Sequence, residues 1–73
     1  MKPISRQKIE LLRKEYPPGT RIELVRMDDL QAPKPGTKGT VNGVDDAGSI
    51  LVSWDNGSSL SVIYGVDSII IVS

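Results

Sequence analysis

The chain contains no cysteine, no histidine and no phenylalanine. Without cysteine, no disulfide bond can stabilise the fold, and no thiolate can bind a metal ion or attack a substrate. Without histidine, the usual pairs of nucleophile and base are missing as well. We therefore expect a protein that is not an enzyme and that holds no cofactor and no metal ion.

Long apolar segments are also missing. The longest run of apolar residues, 69–72, is far too short to span a bilayer. Lys2 is not followed by an apolar stretch, so no signal peptide is visible. Since the chain can form no disulfide, a reducing compartment suits it, and we expect a cytoplasmic protein.

Charge is balanced overall but not along the chain. Nine basic and nine acidic residues cancel, which argues against a strong bulk attraction to nucleic acid. Residues 1–21 carry six basic and two acidic side chains, whereas residues 22–73 carry three basic and seven acidic ones. The basic segment either meets an anionic partner, attracts the acidic remainder of the chain, or is simply solvated.

Residues 5–15 predict a short helix. Ser5 is a good N-cap, and Pro17 with Pro18 ends the helix because neither proline nitrogen can donate a hydrogen bond. The helix carries a narrow apolar stripe of Ile9, Leu12 and Tyr16, widened by Leu11. So short a helix must dock, and the alternatives are its own barrel, a second copy of the chain (a homodimer through Ile9, Leu12 and Tyr16), or a partner.

Five short strands follow the helix, over residues 20–27, 40–44, 49–54, 58–63 and 69–72. The alternation in the first is imperfect, which indicates either cover on both faces or a bulge near Leu24 and Val25. In the third, Ile50, Val52 and Trp54 share one face. The last strand is continuously apolar, which predicts burial on both of its faces.

The connections between these strands favour a mainly β fold, a five-stranded SH3-like barrel with a short N-terminal α-helix. A long polar loop (residues 28–35) follows the first strand, tight turns join the middle ones, and a one-turn break precedes the last. A five-stranded OB barrel is the alternative, but it normally has a helix between its third and fourth strands. We expect a single domain over residues 1–73, with residues 1–16 as a helical extension and 17–73 as the barrel.

Residues 16–67 resemble a family of small domains of unknown function that occur in Firmicutes and their phages and mobile elements. The resemblance depends on the combination of YPPGTR, RMDD, PGTKGTV and WDNGSSL. It implies an intracellular bacterial or phage protein, and it brings no catalytic residues. More distantly, the pattern GTV followed by V-x-WDNG is similar to the SH3-like Mib/Herc2 domains of ubiquitin ligases, which bind protein segments.

Two sets of residues are candidates for binding. A protein partner would contact the loop and neighbouring strand ends, through Arg26, Asp28, Asp29, Gln31, Lys34, Lys38 and Tyr64. Nucleic acid would contact the basic helix and the start of the first strand, through Arg6, Lys8, Arg13, Lys14 and Arg21. Asp28 and Asp29 fit hydrogen bonding at the loop start, or pairing with Arg26, better than a metal site, because no spaced carboxylates follow them.

Trp54 is more simply a core residue than a stacking platform at the barrel mouth. The sequence therefore predicts a non-enzymatic protein-binding module, a small adaptor or inhibitor that acts on a host protein. A nucleic-acid-binding accessory protein that uses its basic helix is the alternative.

Overall fold

A computed structural model describes residues 4–73; Lys2, part of the basic segment, lies outside them. One helix, α1 (Arg6–Glu15), precedes five strands. These are β1 (Arg21–Arg26), β2 (Lys38–Val44), β3 (Ser49–Trp54), β4 (Val62–Ile63) and β5 (Ser68–Ile71). The strands form one antiparallel sheet in the order β4-β3-β2-β1-β5. The predicted mainly β fold with one short helix is confirmed. α1, the only helix within the described part, is too short to cross a membrane.

The sheet is open, and its two edges are β4 and β5. Buried side chains from β1 to β4 and from α1 nevertheless belong to one cluster, so the sheet curves around a single core in the manner of a barrel. We call the gap between the two edge strands the seam. The residues that join them, 64–67, form a tight turn there.

The central hairpin of β2 and β3 follows the predicted pattern. Ile50, Val52 and Trp54 are buried on one face of β3, and the Trp54 indole N–H donates to the Leu60 carbonyl at 2.9 Å. The core interpretation of Trp54 is therefore confirmed. Gly39 lies opposite Trp54 in the register, where an added Cβ would approach Val52 Cγ1 to 2.7 Å and Trp54 Cε3 to 2.8 Å. Only glycine leaves room for both side chains.

β1 contains the predicted bulge. Its pairing with β5 shifts register between Leu24 and Arg26, and Val25 is about half exposed. Leu24 itself is buried, so the broken alternation comes from the bulge and not from cover on both faces.

α1 packs on the chain's own sheet. The Ser5 hydroxyl accepts from the Lys8 N–H at 3.1 Å, which confirms the predicted N-cap. Ile9 and Leu12 are buried in the common core, and Tyr16 is partly buried against it. In the folded chain these side chains thus pack in or against the chain's own core, and a homodimer formed through them would require α1 to undock. Leu11 does not belong to the stripe, because it is 49% exposed.

The last two strands differ from their predictions. The predicted strand over residues 58–63 is reduced to Val62–Ile63. Ser58 O still accepts the Trp54 backbone N–H in register with β3, but Leu60 O accepts the Trp54 indole N–H instead of a backbone donor of β3, which interrupts the ladder. The prediction that the last strand is buried on both faces is wrong. Ile70 and Ile71 are 48% and 51% exposed, because β5 lies at the sheet edge with a neighbour on one side only.

Candidate interaction site

The 28–35 loop is ordered by its own polar groups. The Asp29 carboxylate accepts from the Gln31 N–H at 2.8 Å, and Asp29 O accepts from the Ala32 N–H at 3.0 Å. Arg26 pairs with Asp28 at 3.1 Å, with both side chains exposed. Both predicted structural roles, hydrogen bonding at the loop start and pairing with Arg26, are therefore found.

The loop also presents a residue that sequence reasoning missed. Leu30 is fully exposed, between the local hydrogen bonds of Asp29 and Gln31. Pro33 is buried and anchors the far side of the loop. Nothing in the composition of a polar loop indicates that its leucine points into solvent rather than under the loop.

The remaining loop candidates are dispersed. Gln31 and Lys34 are exposed, and within residues 4–73 Lys34 forms no ion pair. Lys38 is exposed at the start of β2, opposite Glu23 of β1. That the loop contacts a protein stays a prediction.

The five basic candidates for nucleic-acid binding are interleaved with acidic groups. Arg13 donates to the Val44 carbonyl and pairs with Asp46 at 3.0 Å. Arg21 holds both carboxylate oxygens of Asp55, at 2.8 and 2.6 Å. Arg6 lies beside Arg13 along a depression that also contains Glu10 and Asp46, and Lys14 is exposed on the outer face of α1. The structure therefore presents no uniformly basic surface at these positions, and nucleic-acid binding stays a prediction.

The fifth basic residue, Lys8, contacts an aromatic ring. Its ammonium lies 4.2 Å from the centre of the Tyr64 ring, a cation–π distance. The adjacent Tyr64 side chain raises the pKa of Lys8 above its ordinary value. This contact brings a residue predicted for nucleic acid next to one predicted for protein binding.

Tyr64 belongs to a groove of about 340 Å³ that lies along the seam. We call it the seam groove, and it is lined by Tyr16, Ile50, Val62, Tyr64, Gly65, Asp67, Ser68 and Ile69. The aliphatic side chains form its floor, and the two tyrosines flank it. Asp67 and Ser68 add polar groups at the start of β5.

The turn over residues 64–67 fixes Tyr64 at the groove. Asp67 N–H donates to the Ile63 carbonyl at 2.9 Å, and the Asp67 carboxylate accepts from the Ile63 N–H at 2.8 Å. Gly65 takes a positive φ of 84°, which closes the turn at no steric cost. As a result Tyr64 stays 45% exposed beside a rigid backbone.

Tyr16 is positioned by the end of α1. It is the C-cap residue, and its N–H donates to the Leu12 carbonyl at 2.8 Å. Burial of the ring, assisted by the Glu15 carboxylate, raises the pKa of the Tyr16 phenol above its ordinary value. The sequence assigned Tyr16 to the helix stripe alone. No local pattern signals its meeting with Tyr64, because only the fold brings the two together.

The 28–35 loop begins next to the groove. Arg26, the last residue of β1, pairs in register with Ser68, which lines the groove. The structure thus places Arg26 and Tyr64, both predicted contacts, near one continuous surface that also includes Lys8 and Tyr16. Chemically, this surface offers aromatic faces, an aliphatic floor and a few hydrogen-bonding groups. Within the described residues, no group of three or more acidic side chains could hold a metal ion.

Comparisons with known proteins add a family but no activity. No curated protein matches the chain. The family model described as "Domain of unknown function (DUF4314)" matches residues 5–72, which confirms the resemblance to a small domain of unknown function. The chain therefore belongs to the DUF4314 family.

Proposed function

We propose that this domain is a non-enzymatic protein-binding module that takes a short extended segment of another protein in the seam groove. One observation carries the proposal. The only two tyrosines of the chain come from distant parts of the sequence and flank the same aliphatic-floored groove, where the sheet is open.

The groove chemistry suggests what the segment contains. A volume of about 340 Å³ admits one or two side chains, not a folded element. Tyrosine faces and the floor of Ile50, Val62 and Ile69 favour an aliphatic or proline side chain, since aromatic-lined grooves bind such residues at low entropic cost. Asp67 and Ser68 can accept hydrogen bonds from backbone N–H groups or from a basic side chain of the segment.

The 28–35 loop provides a second contact in this proposal. Its start adjoins the groove through the pairing of Arg26 with Ser68, and Leu30 is free of neighbouring cover. A partner that inserts one side chain into the groove could therefore also bury Leu30. That the partner is a host protein, and the domain an adaptor or inhibitor in a bacterium, phage or mobile element, is the finer hypothesis.

Selection from a library of random peptides displayed on phage tests the proposal. We expect enriched peptides to share an aliphatic or proline residue and to shift the amide resonances of Gly65, Ser68 and Ile69. Tyr64→Ala removes one wall and should weaken binding at least about tenfold, whereas Tyr64→Phe keeps the ring and should retain most of it.

Leu11→Ala is the matched control, because it truncates a side chain of α1 that is exposed to a similar degree as Tyr64 but does not line the groove. Leu30→Ala tests the loop contact separately. Loss of binding in Leu30→Ala with full binding in Tyr64→Ala would move the site to the loop. The proposal fails if no peptide is enriched, or if the enriched peptides bind Tyr64→Ala and Leu30→Ala as tightly as the unsubstituted protein.

A further inference from the structure

The two edges of the sheet are protected to different degrees. Proteins usually shield an edge strand by making it very short or by placing charged residues or proline in it. β4 is only two residues long. β5 has four residues, and neither it nor the two residues that follow contain a charge or a proline.

The backbone of β5 is available for pairing along its free edge. Val72 N–H donates to the Arg21 carbonyl at 2.9 Å, so this residue faces β1. Because hydrogen-bonding groups alternate along an antiparallel strand, those of Ile69 and Ile71 point away from β1. Within residues 4–73, β1 is the only strand paired with β5.

Aliphatic surface surrounds this free backbone. Ile70, Ile71 and Val72 are exposed by 41 to 51%. These three side chains offer on the order of 250 Å² of apolar surface, and a two-fold contact would use it twice, about 500 Å² in total, which is the size of a weak interface.

We propose that a second copy of this chain pairs antiparallel with β5 around a two-fold axis at Ile70, giving a continuous ten-stranded sheet. Ile70 then lies opposite its own counterpart, and Ile69 lies opposite Ile71 of the second copy. The outward groups of Ile69 and Ile71 form four hydrogen bonds across the axis.

A second copy suits this edge because the contact is self-complementary. Every pair across the axis from residue 69 to residue 71 is aliphatic, so no charge is buried and none is opposed. The nearest acidic group on the neighbouring strand, Glu23, lies opposite Ile70. In the dimer the two Glu23 positions are three strand spacings apart, about 14 Å, where salt screens most of their repulsion. Since Ser68 and Ile69 also line the seam groove, the second copy and a bound peptide would compete for that end of β5.

Sedimentation equilibrium of the chain from about 10 µM to about 1 mM tests the dimer. We expect the mass to approach that of two chains at the upper end. Ile70→Lys places two ammonium groups face to face and should raise the dimer dissociation constant at least about tenfold. Leu11→Lys, the same change at a similarly exposed position on α1, should leave it unchanged.

A charge-swap experiment locates the axis. Ile70→Lys and Ile70→Glu should each be monomeric alone, and an equimolar mixture should recover the dimer, because opposite charges then meet across the axis. If the variants do not fold, amide exchange of the unsubstituted protein serves instead: protection at Ile69 and Ile71 should rise with concentration. A monomer at about 1 mM overturns the proposal and leaves the edge to a segment of another protein. A dimer equally sensitive to Leu11→Lys, or insensitive to Ile70→Lys, overturns it too.

Discussion

β3 and β5 contain similar aliphatic residues, but those of β3 are buried to a much greater extent than those of β5. Ile50 and Val52 of β3 are buried, because β3 has a neighbour on both sides and α1 helps to close the core below it. Ile70 and Ile71 of β5 are about half exposed, because β5 has one neighbour. Side-chain hydrophobicity alone therefore does not decide burial in this small sheet. Leu51 of β3 is 37% exposed and Val62 of the other edge strand is 1% exposed, so the face of the sheet that a residue occupies matters as well as its strand. The central hairpin acts as scaffold, and the open edge with its seam groove carries the surfaces that we propose to bind.

The largest expected effect concerns the buried core, to which α1 contributes Leu12. Leu12→Asp should unfold the chain, because it places a carboxylate among the core side chains of the sheet. Leu11→Asp, one residue earlier and half exposed, should keep the circular dichroism spectrum and the mass of the folded protein. A folded Leu12→Asp monomer would show that α1 does not complete the core.

Ile50→Ala and Ile70→Ala compare the two strands through the same substitution. Ile50→Ala should lower the free energy of unfolding by about 2–5 kcal/mol, from a total of about 4–11 kcal/mol for a chain of this length. Ile70→Ala should lower it by about 1 kcal/mol or less, because half of the side chain is already in water. Urea denaturation at low protein concentration measures both, and equal losses would remove the distinction between scaffold and edge.

Gly39→Ala sharpens the account of the scaffold. The new Cβ would lie 2.7 Å from Val52 Cγ1 and 2.8 Å from Trp54 Cε3, so these side chains must shift, at a cost of about 1–3 kcal/mol. Val52→Ala removes one of the two clashing atoms. We therefore expect Val52→Ala to cost less in the Gly39→Ala background than alone, and strict additivity in the double-mutant cycle would contradict the clash.

The smallest expected effect concerns the Arg21–Asp55 pair, which joins β1 to the turn after β3. Hydrogen bonds from Arg21 hold the pKa of the Asp55 carboxyl below its ordinary value. The unfolded chain therefore binds this proton more readily, so the stabilisation is complete above about pH 4 and is lost as the pH falls through the lower folded-state pKa. The difference in melting temperature between the unsubstituted protein and Asp55→Asn should shrink towards about pH 2. A difference that does not change with pH would contradict the pairing.

Sequence reasoning succeeded where structure depends on neighbours along the chain. The alternation of β3 and the N-cap at Ser5 are local features, and both were predicted; the bulge at Val25 is local as well and was one of the two predicted alternatives. The fourth strand could not be predicted, since it is shortened by a hydrogen bond between the Trp54 indole and Leu60. The exposure of β5 likewise depends on the strand order and not on its composition.

The candidate site was only partly predictable for the same reason. Tyr64 and Arg26 were among the predicted contacts, because a break before the last strand and a loop start are recognisable in sequence. Tyr16 and Lys8 were assigned to other roles. Only the docking of α1 brings them to the seam groove, and no spacing in the sequence indicates that they lie close to Tyr64.

Native-state hydrogen exchange at low protein concentration tests the contrast between scaffold and edge most directly. We predict that the amides of Val41, which donates to the Thr20 carbonyl, and of Ser53, which pairs with Thr40 of β2, exchange only through global unfolding, with free energies equal to that of the whole domain. The amides of Ile69 and Ile71 should exchange with much lower opening free energies, and these should rise when a selected peptide or a second copy covers the edge. Uniform protection of β3 and β5 in the free monomer would contradict the account.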